Sequence, residues 1–175
     1  MKRYKPLFEA IIKLTKENIQ TLKLNDYAIM YHGTDLDTAI EFSTSGIDAT
    51  KKISNRIYHS SKTHTDMNGL FVTWVFEEAK KYAKDYILEM TLPIKNLHSS
   101  SIDKEELKNI SLKHSKAYQN SENPALTDSL LYDEFQALFI GILKPKYIIN
   151  IFIKEGSSWK KYSVGDFLEE YNEKI

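Results

Sequence analysis

Three short segments of the chain carry residue types that chemistry can use. Tyr31-His32-Gly33-Thr34 closes an apolar run. An imidazole there can hydrogen-bond a ribose hydroxyl, and the glycine lets the backbone approach a planar amide closely. Gly69-Leu70-Phe71-Val72-Thr73 is followed by Ala79-Lys80-Lys81-Tyr82-Ala83. The rings of Phe71 and Tyr82 suit a slot for a flat, positively charged heterocycle, where stacking of a cation on aromatic faces contributes about 0.5–2 kcal/mol. Glu134 stands at the mouth of a strongly apolar strand that ends at Leu143. Taken singly, each segment also has an ordinary reading: a packed or surface histidine, two core aromatics, and a solvated charge at a strand start.

These residues need elements to position them. Phe8, Ile11, Ile12, Thr15, Ile19 and Leu22 recur at helical spacing, which predicts an amphipathic helix over residues 6–23, broken by Asn25-Asp26. Tyr27 to Tyr31 reads as a buried strand that delivers His32 and Gly33. Asp35 or Thr34 caps a following helix with Leu36, Ala39, Ile40 and Phe42 inside, and Gly46 closes it. Residues 47–68 are polar, with Lys51, Lys52, Arg56 and Lys62 near Tyr58, and read as a loop. Gly69 to Thr73 reads as a strand, and Phe76, Ala79, Tyr82 and Ala83 form one side of a helix. Tyr86 to Leu92 alternates as a strand that Pro93 ends. Residues 96–128 read as short helices and loops. Glu134 to Leu143 and Tyr147 to Ile153 read as strands, and residues 164–173 as a C-terminal helix. Strands and helices mix without a regular βαβ alternation, so the expected class is α+β. The expected organisation is one domain over 1–175 with its core in 27–153.

Composition removes several alternatives. Lysine plus arginine (24) equals aspartate plus glutamate (24), so no overall basic field draws the chain to nucleic acid or a membrane. There is no cysteine, which excludes disulfides, thiolate catalysis and cysteine-ligated zinc. His59 and His64 lie five apart without a carboxylate at ligand spacing, so no metal is expected. The basic start Met1 to Lys5 is followed by Glu9, Lys13, Lys16 and Glu17 rather than an apolar segment. The longest apolar run, Ala137 to Leu143, is too short for a bilayer. The expectation is a soluble protein of the cytoplasm, without a membrane partner.

The order and spacing of the three segments are more specific than any one of them. A His-Gly-Ser/Thr strand end comes first. A Gly-x-aromatic strand with Ala-x-x-Tyr behind it follows, and a Glu-aromatic strand comes near the C-terminus. This resembles the His-Tyr-Glu class of ADP-ribosyltransferases, the class of the diphtheria-type toxins and the poly(ADP-ribose) polymerases. The resemblance covers residues 27 to 150 and is best from Asp133 to Ile148, where glutamate, aromatic residue, apolar strand and Lys-Tyr-aliphatic ending follow in the family's order. It implies two packed, mainly antiparallel sheets flanked by helices. It also implies NAD as co-substrate and no metal. Glu134 and His32 are then the catalytic residues, and His32, Gly33, Thr34, Phe71 and Tyr82 bind NAD.

Two departures are plain. The family's first stacking tyrosine is Phe71 here, which can stack but has no hydroxyl. The family's serine on the following helix is absent from Phe76-Glu77-Glu78-Ala79, leaving Thr73 as the candidate hydroxyl. Tyr132, two residues before Glu134, stands where the arginine-modifying class has Glu or Gln. RNA 2′-phosphotransferases share the His-Gly-Thr segment but use several arginines, and this chain has only Arg3 and Arg56. The implied activity is transfer of one ADP-ribose to a macromolecular acceptor, protein or nucleic acid, by a toxin-type or phage effector with a neutralising partner protein. The alternative is a catalytically inactive module that keeps the NAD-binding scaffold and acts through protein interaction.

Overall fold

The computed structural model describes residues 10–51, 69–100, 120–132 and 134–173. His59, His64, most of the polar loop and the middle of the 96–128 segment lie outside the described residues. The class is α+β. The strands are β1 (Ile11–Ile12), β2 (Tyr27–Thr34), β3 (Ile47–Asp48), β4 (Leu70–Thr73), β5 (Tyr86–Pro93), β6 (Leu97–His98), β7 (Gln136–Phe139), β8 (Ile142–Leu143), β9 (Ile148–Glu155) and β10 (Ser158–Ser163). The helices among the described residues are α1 (Leu36–Thr44), α2 (Phe76–Lys80), α3 (Pro124–Tyr132) and α4 (Val164–Glu173).

One sheet runs in the order β10-β9-β5-β2-β4-β7-β6, and β3 pairs with β8 in a second. Every pairing is antiparallel except β1 with β2. The large sheet is uneven. β2 pairs with β5 over its whole length, from Tyr27 opposite Pro93 to Thr34 opposite Tyr86. It meets β4 at a single pair, Tyr31 opposite Thr73. The sheet therefore splits at its middle, with β10-β9-β5-β2 on one side and β4-β7-β6 on the other.

Partners in register share a face of a sheet. One face carries Ala28, Met30, Leu88, Met90, Leu70, Val72, Ala137, Phe139 and Ile151, all buried in the main core. Helices α1 (Ala39, Phe42) and α3 (Leu126, Leu130) and Phe167 of α4 join that cluster. Asp35 caps α1: its carboxylate accepts the Thr38 N–H at 2.8 Å. Gly46 follows α1 at φ 68°, the left-handed conformation that ends a helix.

Residues 10–23 correct the expected helix over 6–23. Ile11–Ile12 form β1 and Asn18–Thr21 a single 3-10 turn. Two causes are visible. The Tyr27 N–H donates to the Ala10 carbonyl at 2.8 Å, drawing this stretch to the sheet. The Asn18 side chain accepts from the Thr15 N–H at 2.7 Å and donates to the Lys13 carbonyl at 2.9 Å, local bonds that compete with helical ones. Ile11 is 64% exposed, whereas Ile19 and Leu22 enter the core.

The expected strand over 134–143 is interrupted too. Glu134 and Phe135 form a turn, β7 begins at Gln136, and the chain changes sheets at Ile140-Gly141 before β8. The Ile140 N–H and carbonyl bond Asn96, and the Gly141 carbonyl accepts from Ala49. Residues 47–48, expected as loop, form β3 against β8. β10 was not expected at all.

Candidate active site

The residues singled out from the sequence lie on β2 and β4 or in the segments that follow α2 and precede β7. Beyond Tyr31 the two strands diverge, and His32 fills the seam with its side chain. His32 Nδ1 lies 2.7 Å from the Phe71 carbonyl oxygen. A carbonyl only accepts, so Nδ1 carries the hydrogen, and in the neutral ring Nε2 is left as an acceptor. The ring stacks on Phe42 with centroids 6.1 Å apart and planes at 29°. Burial pushes the imidazole below its ordinary value of 6.5, against smaller upward pulls from the Phe71 bond and Asp35. A neutral His32 with its hydrogen on Nδ1 would accept a hydroxyl hydrogen at Nε2 rather than donate one.

This has a consequence for stability. The folded state binds fewer protons than the unfolded chain near the ordinary histidine value. Stability therefore rises with pH through that region and is lost as pH falls below it. Urea midpoints measured from about pH 8 down to about pH 5 should fall more steeply for the wild type than for His32→Gln. Parallel profiles would mean that His32 is not held neutral.

Gly33 packs on the opposite side. A Cβ there would lie 2.2 Å from the Ala79 carbonyl oxygen and 2.7 Å from the Ala83 nitrogen. Its bare Cα is taken up by the end of α2 rather than left open to a planar amide. Thr34 is buried, and its carbonyl accepts from the Lys84 N–H at 2.9 Å. Together these contacts lock residues 79–84, and so Tyr82, against the end of β2.

On β4, Phe71 and Thr73 share a face with Leu138 and Gln136 of β7, their register partners. Phe71 is 6% exposed and stands outside the main core cluster. Its ring is therefore on the face opposite the core, together with Gln136.

Glu134 sits in the turn before β7. Glu134 and Phe135 have φ of 52° and 58°, two consecutive non-glycine residues in the left-handed region. Such residues cost on the order of 1 kcal/mol each and persist where the surroundings over-determine them. The surroundings here are specific. The Phe135 carbonyl accepts from Thr73 Oγ1 at 2.8 Å and from the Trp74 N–H at 3.4 Å. The Phe135 ring meets Trp74 edge-on at 5.8 Å. Trp74 Nε1 in turn donates to the Leu130 carbonyl of α3 at 2.7 Å. Ser129 of α3 donates to the Gln136 carbonyl at 2.7 Å.

The turn aims the carboxylate. Tyr82 OH donates to Glu134 Oε2 at 2.8 Å. Gln136 Nε2 donates to the same oxygen at 3.1 Å and to Tyr82 OH at 3.2 Å. A carboxylate accepts and never donates when ionised, which fixes the Gln136 amide with nitrogen toward Glu134. Burial raises the Tyr82 phenol above its ordinary value, and the Glu134 bond raises it further, so it remains a protonated donor. Both bonds fall on Oε2. Glu134 is exposed, and among the described residues Oε1 receives no hydrogen bond. The result is a carboxylate anchored by one oxygen and presenting the other.

Tyr82 and Glu134 thus meet directly, Gly33 and Thr34 hold the segment that carries Tyr82, and His32 bonds the backbone of Phe71. His32 lies on the core side of β2, away from the Tyr82–Glu134 pair. Gln136 is the addition, and Thr73 takes a different role from the one expected. The hydroxyl of Thr73, the candidate for a ligand contact, donates instead to the Phe135 carbonyl. Comparison with protein-family models, curated proteins and solved structures finds no match. Among the described residues, no helix is long and apolar enough to cross a membrane.

Proposed function

We propose that the protein is an NAD-dependent mono-ADP-ribosyltransferase with Glu134 as its catalytic carboxylate. The observation that carries this reading is the Tyr82–Glu134–Gln136 triad, an anchored carboxylate beside an aromatic ring at the split of the sheet. The sequence order His32, Phe71, Tyr82, Glu134 supports it through the family resemblance.

The chemistry fits such a carboxylate. The bond between the nicotinamide-side ribose carbon and the pyridinium nitrogen breaks, and its electron pair leaves with neutral nicotinamide. Positive charge develops on the ribose, and a fixed anion stabilises it. An acceptor nucleophile then attacks the ribose carbon and releases its proton. Tyr82 supplies a ring for stacking and holds Glu134 in place. Phe71 is the second ring of the slot. The resemblance gives His32 the adenosine-side ribose, away from Glu134, where Nε2 is the acceptor for a hydroxyl. The acceptor is a macromolecule, protein or nucleic acid, as expected of an effector that acts on a host cell.

Incubation with NAD should release nicotinamide, and mass spectrometry of lysate macromolecules should find the added ADP-ribose mass. Absence of both would sink the proposal. A second reading, a non-catalytic NAD-fold binding module, is favoured by one observation: Phe71 is nearly buried and lacks the family's hydroxyl. That module acts through protein interaction and needs no NAD. A calorimetric titration with NAD that shows no binding, together with no nicotinamide release, selects it.

A further inference from the structure

The hydroxyl of Thr73 joins three parts of the site. Thr73 ends β4, is 4% exposed, and stands in register between Tyr31 of β2 and Gln136 of β7. Among the described residues, it lies on the one rung that joins the two halves of the sheet. Its Oγ1 donates to the Phe135 carbonyl at 2.8 Å. The same oxygen accepts the Val75 N–H at 3.1 Å, at the start of α2. α2 leads to Tyr82, and Phe135 follows Glu134. Both members of the Tyr82–Glu134 hydrogen bond are therefore tied to one oxygen atom, from opposite sides.

We infer that Thr73 is the positioning residue of the site, whose single hydroxyl sets the carboxylate-bearing turn and the tyrosine-bearing segment relative to each other. It does not touch the reacting atoms. It acts by holding the left-handed pair Glu134-Phe135, which without an anchor relaxes toward ordinary backbone angles. The Phe135 carbonyl, at the end of the turn, lies where β4 ends and α2 departs, and beside the 2.8 Å bond from Thr73 it receives only the longer, 3.4 Å bond of the Trp74 N–H among the described residues. Serine supplies the same donor and acceptor. Valine matches threonine in shape and supplies neither. The catalytic part of the inference rests on the transferase reading above, and its geometric part does not.

The test uses the full chain with ¹³Cζ-labelled tyrosine, read by NMR against pH. The protein has 11 tyrosines, so the Tyr82 resonance is assigned by its loss in Tyr82→Phe. In the wild type, burial and then the Glu134 bond should hold the Tyr82 phenol above the ordinary tyrosine value. In Thr73→Val the part of that rise due to the Glu134 bond should be lost while the larger part due to burial stays, and Thr73→Ser should restore it. Nicotinamide release should show kcat reduced about 10–100-fold in Thr73→Val with KM for NAD nearly unchanged, and Thr73→Ser should recover most of it. If Thr73→Val fails to fold by circular dichroism, Thr73→Ala, which also removes donor and acceptor, carries the same comparison. A folded valine or alanine variant whose Tyr82 titrates as in the wild type overturns the inference, whatever its activity. A wild type that releases no nicotinamide overturns the transferase reading instead, and the Tyr82 titration still decides the role of Thr73.

Discussion

Glu134→Gln is expected to reduce nicotinamide release by about 10²–10³-fold while leaving the protein folded, the loss typical of removing one preorganised electrostatic stabiliser. The substitution keeps the size and the left-handed backbone position. A glutamine carbonyl can still accept from Tyr82 and Gln136, so the local bonds are partly retained. The negative charge is gone, and with it the attraction for positive charge on the ribose. Because Glu134 is exposed, stability should change by no more than about 0.5 kcal/mol. Urea denaturation and a nicotinamide assay on the same preparations separate the two effects. Retention of the wild-type rate by a folded Glu134→Gln protein would remove Glu134 from the catalytic role. A parallel loss of rate and stability would mean that the carboxylate is structural, a member of the Tyr82–Gln136 network and nothing more.

Much of the fold was legible because periodicity and punctuation agreed. Tyr27 to Thr34, Leu70 to Thr73 and Tyr86 to Pro93 are strands where apolar runs predicted them. Asp35 caps α1 and Gly46 ends it, both by local rules. The errors have a common origin in contacts that spacing does not encode. The helical pattern near the N-terminus gave way to a parallel pairing with β2 and to Asn18 side-chain bonds. β10 escaped notice although Gly156-Ser157 forms a two-residue loop, with Glu155 opposite Ser158 and Gly156 at φ 64°. That pair is a recognised hairpin signal. Its strand Trp159-Lys160-Lys161-Tyr162 is largely exposed at the sheet edge, so it lacks the apolar alternation on which the other strands were found.

The site divides in the same way. Residue types and their order pointed to Tyr82 and Glu134, which turn out to share a hydrogen bond across 52 residues of chain. Nothing in a single sequence announces that Glu134 and Phe135 take left-handed angles. The apolar run from Phe135 suggests continuous strand, and the turn exists because Thr73 and Trp74 hold the Phe135 carbonyl. The role of Gly33 is only half legible for a related reason. A glycine at a strand end signals a close approach, but not what approaches, and here it is the backbone of α2.

That close approach carries the second large effect. Gly33→Ala is expected to destabilise the protein by about 3 kcal/mol, the upper part of the range for overpacking. The added Cβ would sit 2.2 Å from the Ala79 carbonyl oxygen, 2.7 Å from the Ala83 nitrogen and 3.0 Å from its Cα. All three are backbone atoms, so no side-chain rotation relieves the clash. β2 cannot withdraw, because Gly33 is in register with Ile87 in the middle of the sheet. The segment 79–83 must move instead, and it carries Tyr82 away from Glu134. Activity should therefore fall further than unfolding alone explains, and it should stay low at temperatures where the variant is fully folded. Gly165→Ala is the matched control: it lies in α4, and an added Cβ there meets nothing within 4 Å. There alanine should raise stability by about 0.5 kcal/mol, as expected for glycine replaced in a helix. Urea unfolding of both variants gives opposite signs if steric contact at Gly33 governs. Equal, small effects would show that the end of α2 yields without resistance, and that the position of Tyr82 is not set by β2.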